Sequence, residues 1–238
     1  MSHLHVPDGI LPLPVVMISF LVCGTLVSVA SHRLSRDRSA PLRIASVAAL
    51  MVLSMNVPVL VLPLHLNMAA LAGIVLGGWQ ALVAVFTVNL MVAFMQHGGI
   101  TAVGLNTIIL GAEAALASCV FRGARRLKAP MAAAVATTLA LLLSTGLMVS
   151  VLAAAAPRGS VLEALAHDFR LPYIGGQAHS QTPSFAATPA FGRPLVPVAV
   201  VRIIAPVIAG GVLLEAAVTS LIVGFLSRVR PDLITRER

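Results

Sequence analysis

The chain has 238 residues, 58% of them hydrophobic and only 10% charged, with a mean hydropathy of +0.99. A soluble globular chain carries about a quarter charged residues, so this one lacks the polar surface to coat a water-facing particle. Soluble domains are thereby excluded, and the expectation is an all-α integral membrane protein forming a single domain over residues 1–238.

The formal charge of +8 does not point to nucleic acid. Most of the basic residues fall in three clusters beside apolar runs: Arg33, Arg36, Arg38 and Arg43; Arg122, Arg125, Arg126 and Lys128; Arg228, Arg230, Arg236 and Arg238. Cytoplasmic loops carry this excess under the positive-inside rule. Cys23 and Cys119 lie within apolar runs and read as small packing residues rather than a metal pair. Nothing basic precedes the first apolar run, so no cleavable signal peptide is expected.

In chain order, residues 10–30, 44–64 and 100–121 each suit one crossing at about 1.5 Å per residue. The stretches 129–156 and 196–226 are longer and would tilt or overshoot. The uncharged stretch 66–96 must contain an even number of crossings if every basic cluster is inside. Two helices of about 12 and about 17 residues, broken at Gly77-Gly78, would satisfy this, the first spanning only about 18 Å. A re-entrant hairpin is the competing picture. Either way His65 should sit below the outer surface, inside the bundle.

About seven transmembrane helices result, with the N-terminus outside and inserted toward the bundle and the C-terminus cytoplasmic. The segment 157–194, rich in Pro, Gly, Ser and Gln, becomes an extracytoplasmic loop expected to be mostly disordered. The Gly73–Gly77 pair reads as tight packing rather than a dimer seam.

This topology places His3, His5, His65 and His97 at the outer face. Imidazole is the commonest side-chain ligand for borderline divalent metals. A single such His is more often a helix-end hydrogen bonder; four at one face favour a metal site. A free N-terminal amine, a backbone amide and the imidazole of a second-position His form fused chelate rings. One further imidazole completes four nitrogens in a plane, suited to Ni(II), Co(II) or Cu(II) rather than tetrahedral Zn(II). Pro7 restricts the backbone and Asp8-Gly9 offers a turn, so the segment can fold back into the bundle.

Other polar groups have readings of their own. Glu113 and Glu215 lie at similar depths and read first as structural hydrogen bonders, second as metal or proton groups. Arg202 either pairs with Asp8, fixing the N-terminal plug, or snorkels to the interface. Asn67 and Asn89 are candidates for bonds across helices without touching metal.

The run His5-Val6-Pro7-Asp8-Gly9-Ile10-Leu11 resembles the Met-His-Ile-Pro-Asp-Gly opening of the CbiM/NikM family, the substrate-binding S components of energy-coupling-factor (ECF) transporters for cobalt and nickel. Three later stretches are also similar, in order: His65-Leu66 through Leu76-Gly77-Gly78-Trp79; His97-Gly98-Gly99-Ile100-Thr101-Ala102-Val103-Gly104-Leu105-Asn106; and Glu215-Ala216-Ala217-Val218-Thr219 with Arg228 to Leu233. The resemblance implies that His5 and His65 hold the metal and that His97 and Asn106 orient those ligands. It also implies separate partners: two ATPases, a transmembrane coupling subunit and often a small accessory membrane protein.

The start departs from the family pattern, because Met1-Ser2-His3 precede Leu4, which stands where the family has Met. Loss of Met1 would give an amine on Ser2 followed by His3. Initiation at Leu4 through a non-ATG codon would make His5 the chelating residue. Both routes stay open, with His5 favoured.

The function expected is a capture subunit in the cell inner (plasma) membrane, importing Co(II) or Ni(II) as substrate, in contact with lipid and not with nucleic acid. It is not expected to be an enzyme. No GxxxxGK[ST] phosphate loop is present, so ATP hydrolysis falls to the partners. A membrane metalloenzyme using the same histidines, or a passive channel or structural subunit, is the alternative; HExxH is absent from the sequence.

Overall fold

The computed structural model describes residues 11–56, 65–95, 99–124, 126–155 and 198–234, apart from the side chains of 152, 153, 155 and 198–204. Among these the chain forms seven α-helices, two short 3-10 turns and no strand. The helices are α1 (Leu13–Leu34), α2 (Ala40–Asn56), α3 (Ala69–Leu76), α4 (Gly78–Phe94), α5 (Val103–Gly123), α6 (Ala129–Ala155) and α7 (Val198–Val229). Four of them are long and apolar enough to cross a membrane.

Their outward faces are the lipid-facing ones. Leu21, Phe94 and Leu221 are 73%, 71% and 74% exposed, which would be costly for so many large apolar side chains in water. The interior is packed mainly with small residues, including Ala69, Ala70, Ala72, Ala81, Ala84, Ala114 and Ala117, all fully buried. Lipid tails are as apolar as leucine, so close backbone approach and dispersion hold such helices together.

The pair α3 and α4 realises the predicted break. Gly77 caps both helices at φ +81°, a left-handed angle that costs glycine little and other residues more. Here α3 is shorter than expected, with 8 residues rather than about 12. The missing turn is the 65–68 segment, whose backbone bonds go elsewhere, and Met68 takes φ 61°. At Gly73 the contact with α5 is extreme: an added Cβ would lie 1.9 Å from the Ala114 carbonyl oxygen. The Gly73–Gly77 pair therefore packs within the chain. A second close approach sets α1 on α5, where a Cβ on Gly104 would lie 2.8 Å from the Phe20 amide nitrogen.

Other element boundaries moved for local reasons. Helix α2 begins at Ala40, four residues before the predicted start, because Pro41 is tolerated in a first turn and Asp37 clasps the preceding loop. The Asp37 carboxylate accepts from the Ser39 amide and hydroxyl at 3.0 and 2.7 Å and pairs with Arg43. The Ser39 bonds first, and Arg43 after them, hold its carboxyl below the usual range. The clasp is therefore intact above the ordinary carboxylate pKa and opens as pH falls through the lowered one. Helix α7 contains Pro206 and has 32 residues, about 48 Å at the usual rise, so it overshoots a hydrocarbon core of about 30 Å.

Each of the three basic clusters has a described residue at the same end. Arg43, Arg122 and Arg230 line a cavity of about 780 Å³ together with Gly77, Gly78, Trp79 and Asp232. Arg33 stacks over Trp79 at 4.7 Å beside it. The α3–α4 break thus lies at the basic end of the bundle, and the 65–68 segment precedes α3 on the other side. Of the cysteines, Cys23 is buried as predicted, whereas Cys119 is exposed on the outside of α5. The expectations for the 157–194 loop fall outside the described residues.

Candidate metal centre

His65 heads a segment held from three directions. On the α2 side, the Ser54 hydroxyl donates to the Leu66 carbonyl at 3.0 Å. From α7, the Glu215 carboxylate accepts the Asn67 and Met68 amides, at 3.3 and 3.0 Å. From α5, Glu113 Oε1 accepts from Asn67 Nδ2 at 2.9 Å, while its other oxygen accepts from Ser144 of α6 at 2.6 Å. Asn67, Glu113 and Glu215 are all 0% exposed. An unpaired buried carboxylate would cost several kcal/mol, so these bonds are obligatory rather than decorative.

The arrangement explains why α3 begins late. Its cap residue Met68 supplies no side-chain bond of its own. An intrahelical bond runs from the Ala72 amide to the Met68 carbonyl, and the amides of Asn67 and Met68 are taken by a carboxylate from another helix. A negative group at a helix N-terminus also suits the helix dipole. The structural reading of Glu113 and Glu215 is thus the one the geometry displays. His65 itself is partly exposed, and its Nδ1 is shielded from solvent.

Asn106 lies two turns before Glu113 on the same face of α5 and is buried, with Oδ1 shielded. It is therefore on the side of α5 that meets the His65 segment, farther from the basic end. Asn89 donates to the Thr107 hydroxyl at 3.2 Å, a bond across α4 and α5. Both asparagines expected to bond across helices, Asn67 and Asn89, do so.

The remaining predicted site residues lie outside the described residues: Ser2, His3, His5, Asp8, His97 and the side chain of Arg202. Among the described residues no three His, Cys, Asp or Glu side chains converge as a metal cage. Sequence reading missed Ser54 and Ser144 as supports. No periodicity marks them, since a helical Ser can equally return its hydroxyl to its own backbone.

A bundle of apolar helices with a polar, carboxylate-braced segment folded into its interior defines a multi-pass membrane protein. Residues 5–233 match the profile of CbiM, the cobalt uptake substrate-specific transmembrane region, and the chain belongs to this family. It is accordingly a membrane component of metal uptake and not an enzyme. It is 30% identical over 131 residues to a Haemophilus influenzae protein named for metal transport, a match spanning 54% of this chain and 62% of that relative. The fold is similar to a crystal structure of a transition metal transporter, with TM-score 0.65 at 19% identity, covering 94% of this chain and 93% of that one. A truncated transition metal transporter aligns with the same score over 94% and 99% of the two chains.

Proposed function

We propose that this chain is the cargo-capturing S component of an ECF-type transporter importing Co(II) or Ni(II). The observation that carries the reading is the placement of His65 at the head of a buried, hydrogen-bonded segment. Such a segment fixes an imidazole in space far better than a surface loop would. His65 supplies one ligand, and the N-terminal residues supply the others: an amine, an amide and His5, or Ser2 with His3. The positive-inside rule puts the basic end in the cytoplasm and the His65 end outside. Two partner ATPases supply the energy through a transmembrane coupling subunit, often with a small accessory membrane protein.

Equilibrium dialysis of the purified protein tests the reading directly: one tightly bound Ni(II) or Co(II) per chain is expected, and no saturable binding overturns it. Binding should displace protons from the amine, the imidazoles and one amide, so affinity should rise steeply with pH. A flat affinity between about pH 6 and about pH 8 contradicts this ligand set. His97→Ala should weaken binding only about 10–100-fold, as losses of ligand-orienting groups do. For the N-terminus, intact mass of the natively expressed protein separates a start at Leu4 from one at Ser2. An intact Met1 with full affinity contradicts both chelates.

Cobalt and nickel both suit four nitrogens, and the Irving–Williams order predicts tighter Ni(II) binding whatever the cargo in the cell. Neighbouring cobalamin-biosynthesis genes would assign cobalt; urease or hydrogenase genes would assign nickel.

A further inference from the structure

We infer that Glu215 is a positioning residue for the metal site, a carboxylate from α7 that clamps the amides of Asn67 and Met68 and so sets where His65 stands. The inference rests on the reading of His65 as a metal ligand. Glu215 is far from His65 in sequence, and nothing in the opening motif would connect them.

Geometry carries the argument. Two carboxylate oxygens meet two successive backbone amides, at 3.3 and 3.0 Å. This fork fixes two peptide planes at once, which a single bond would not. Met68 is held at φ 61°, an angle that β-carbon-bearing residues adopt rarely and that must be imposed by the surroundings. Glu113 adds a third hold through the Asn67 side chain, and is itself braced by Ser144. Only two peptide bonds separate the clamped Asn67 from His65.

Three other readings of Glu215 carry less. A surface role is excluded by its 0% exposure. A plain packing role would not require both oxygens to be spent on the backbone of one segment. A role as metal ligand would not account for each oxygen accepting from one of two successive backbone amides.

The test uses the full chain in detergent, with Ni(II) as the probe. Glu215→Leu should leave exchange in the α6 core unchanged but speed metal-free amide hydrogen exchange over residues 65–72 at least about tenfold. Its Ni(II) Kd should rise about 10–100-fold, the usual scale for a group that orients ligands. The visible ligand-field spectrum at saturation should match the unmodified protein, because the nitrogens are unchanged. Glu215→Gln, which keeps one acceptor oxygen but turns an NH2 donor toward the other amide, should recover only part of the affinity. Unchanged exchange over 65–72, or faster exchange with unchanged affinity, overturns the proposal. So does an altered spectrum at saturation, which would make Glu215 a ligand. Should Glu215→Leu fail to fold, Glu215→Asp decides: it keeps the charge and withdraws it by about one C–C bond, about 1.5 Å. Wild-type exchange and affinity in that variant also overturn the clamp. Unchanged affinity in His65→Ala, by contrast, overturns the metal reading, while metal-free exchange in the Glu215 variants still reports the clamp.

Discussion

His65→Ala is expected to abolish tight Ni(II) and Co(II) binding while leaving the helical bundle folded. Removing one of four nitrogens costs more than the about 10–100-fold expected for an orienting group, because a metal–nitrogen bond is itself lost. His65 is partly exposed, so its truncation removes less buried contact than loss of a core side chain would. Leu66, Asn67 and Met68 keep their bonds to Ser54, Glu113 and Glu215 in the variant. Equilibrium dialysis gives the affinity, and thermal unfolding in detergent shows whether the fold persists. A variant with wild-type affinity would remove His65 from the ligand set and the proposed site with it.

Gly73→Val should be the most damaging packing substitution in the bundle. Its Cβ would fall 1.9 Å from the Ala114 carbonyl oxygen, 2.6 Å from the carbonyl carbon and 2.8 Å from the Cα. These are backbone atoms of a neighbouring helix, so no rotamer change relieves the overlap. Overpacking a core ordinarily costs about 1–3 kcal/mol, and here two helix axes must separate as well. Helix α3 would be driven off α5, taking the 65–68 segment away from Glu113. Loss of monodisperse protein, or a large fall in Tm together with loss of metal binding, is the expected result. Gly24→Ala is the control, since no atom lies within 4 Å of its Cβ; it should be neutral or stabilising by up to about 1 kcal/mol. Equal Tm values for Gly73→Val and the unmodified protein would show that α3 and α5 are not packed as described.

Much of the helical order was legible in the chain. The break at Gly77-Gly78 followed from two glycines inside an uncharged stretch that had to make an even number of crossings between the basic clusters. The beginning of α3 was not legible. Residues 66–68 are as apolar as the helix that follows, apart from Asn67, and no propensity argument separates Leu66 or Met68 from Ala69. What holds the backbone just before the helix is a carboxylate from a residue nearly 150 positions away. Glu113 and Glu215 were visible as costly groups at matching depths. Their common target was not, because depth along two helices says nothing about how each is rotated.

By itself the sequence determined the membrane environment, the order of the described helices and the basic end of this protein. These depend on sums over many residues: apolar runs long enough for a bilayer, and arginines that resist transfer through it. It also singled out His65, through a resemblance carried by local motifs. Tertiary structure alone decided that Gly73 admits the α5 backbone, that Met68 takes a left-handed angle, and that Glu215, Glu113 and Ser144 converge on the segment below His65. Each of these is a short-range contact between residues distant in the chain. Hydrogen bonds and steric overlap change within a few tenths of an ångström, a precision fixed only when the helices have settled against one another.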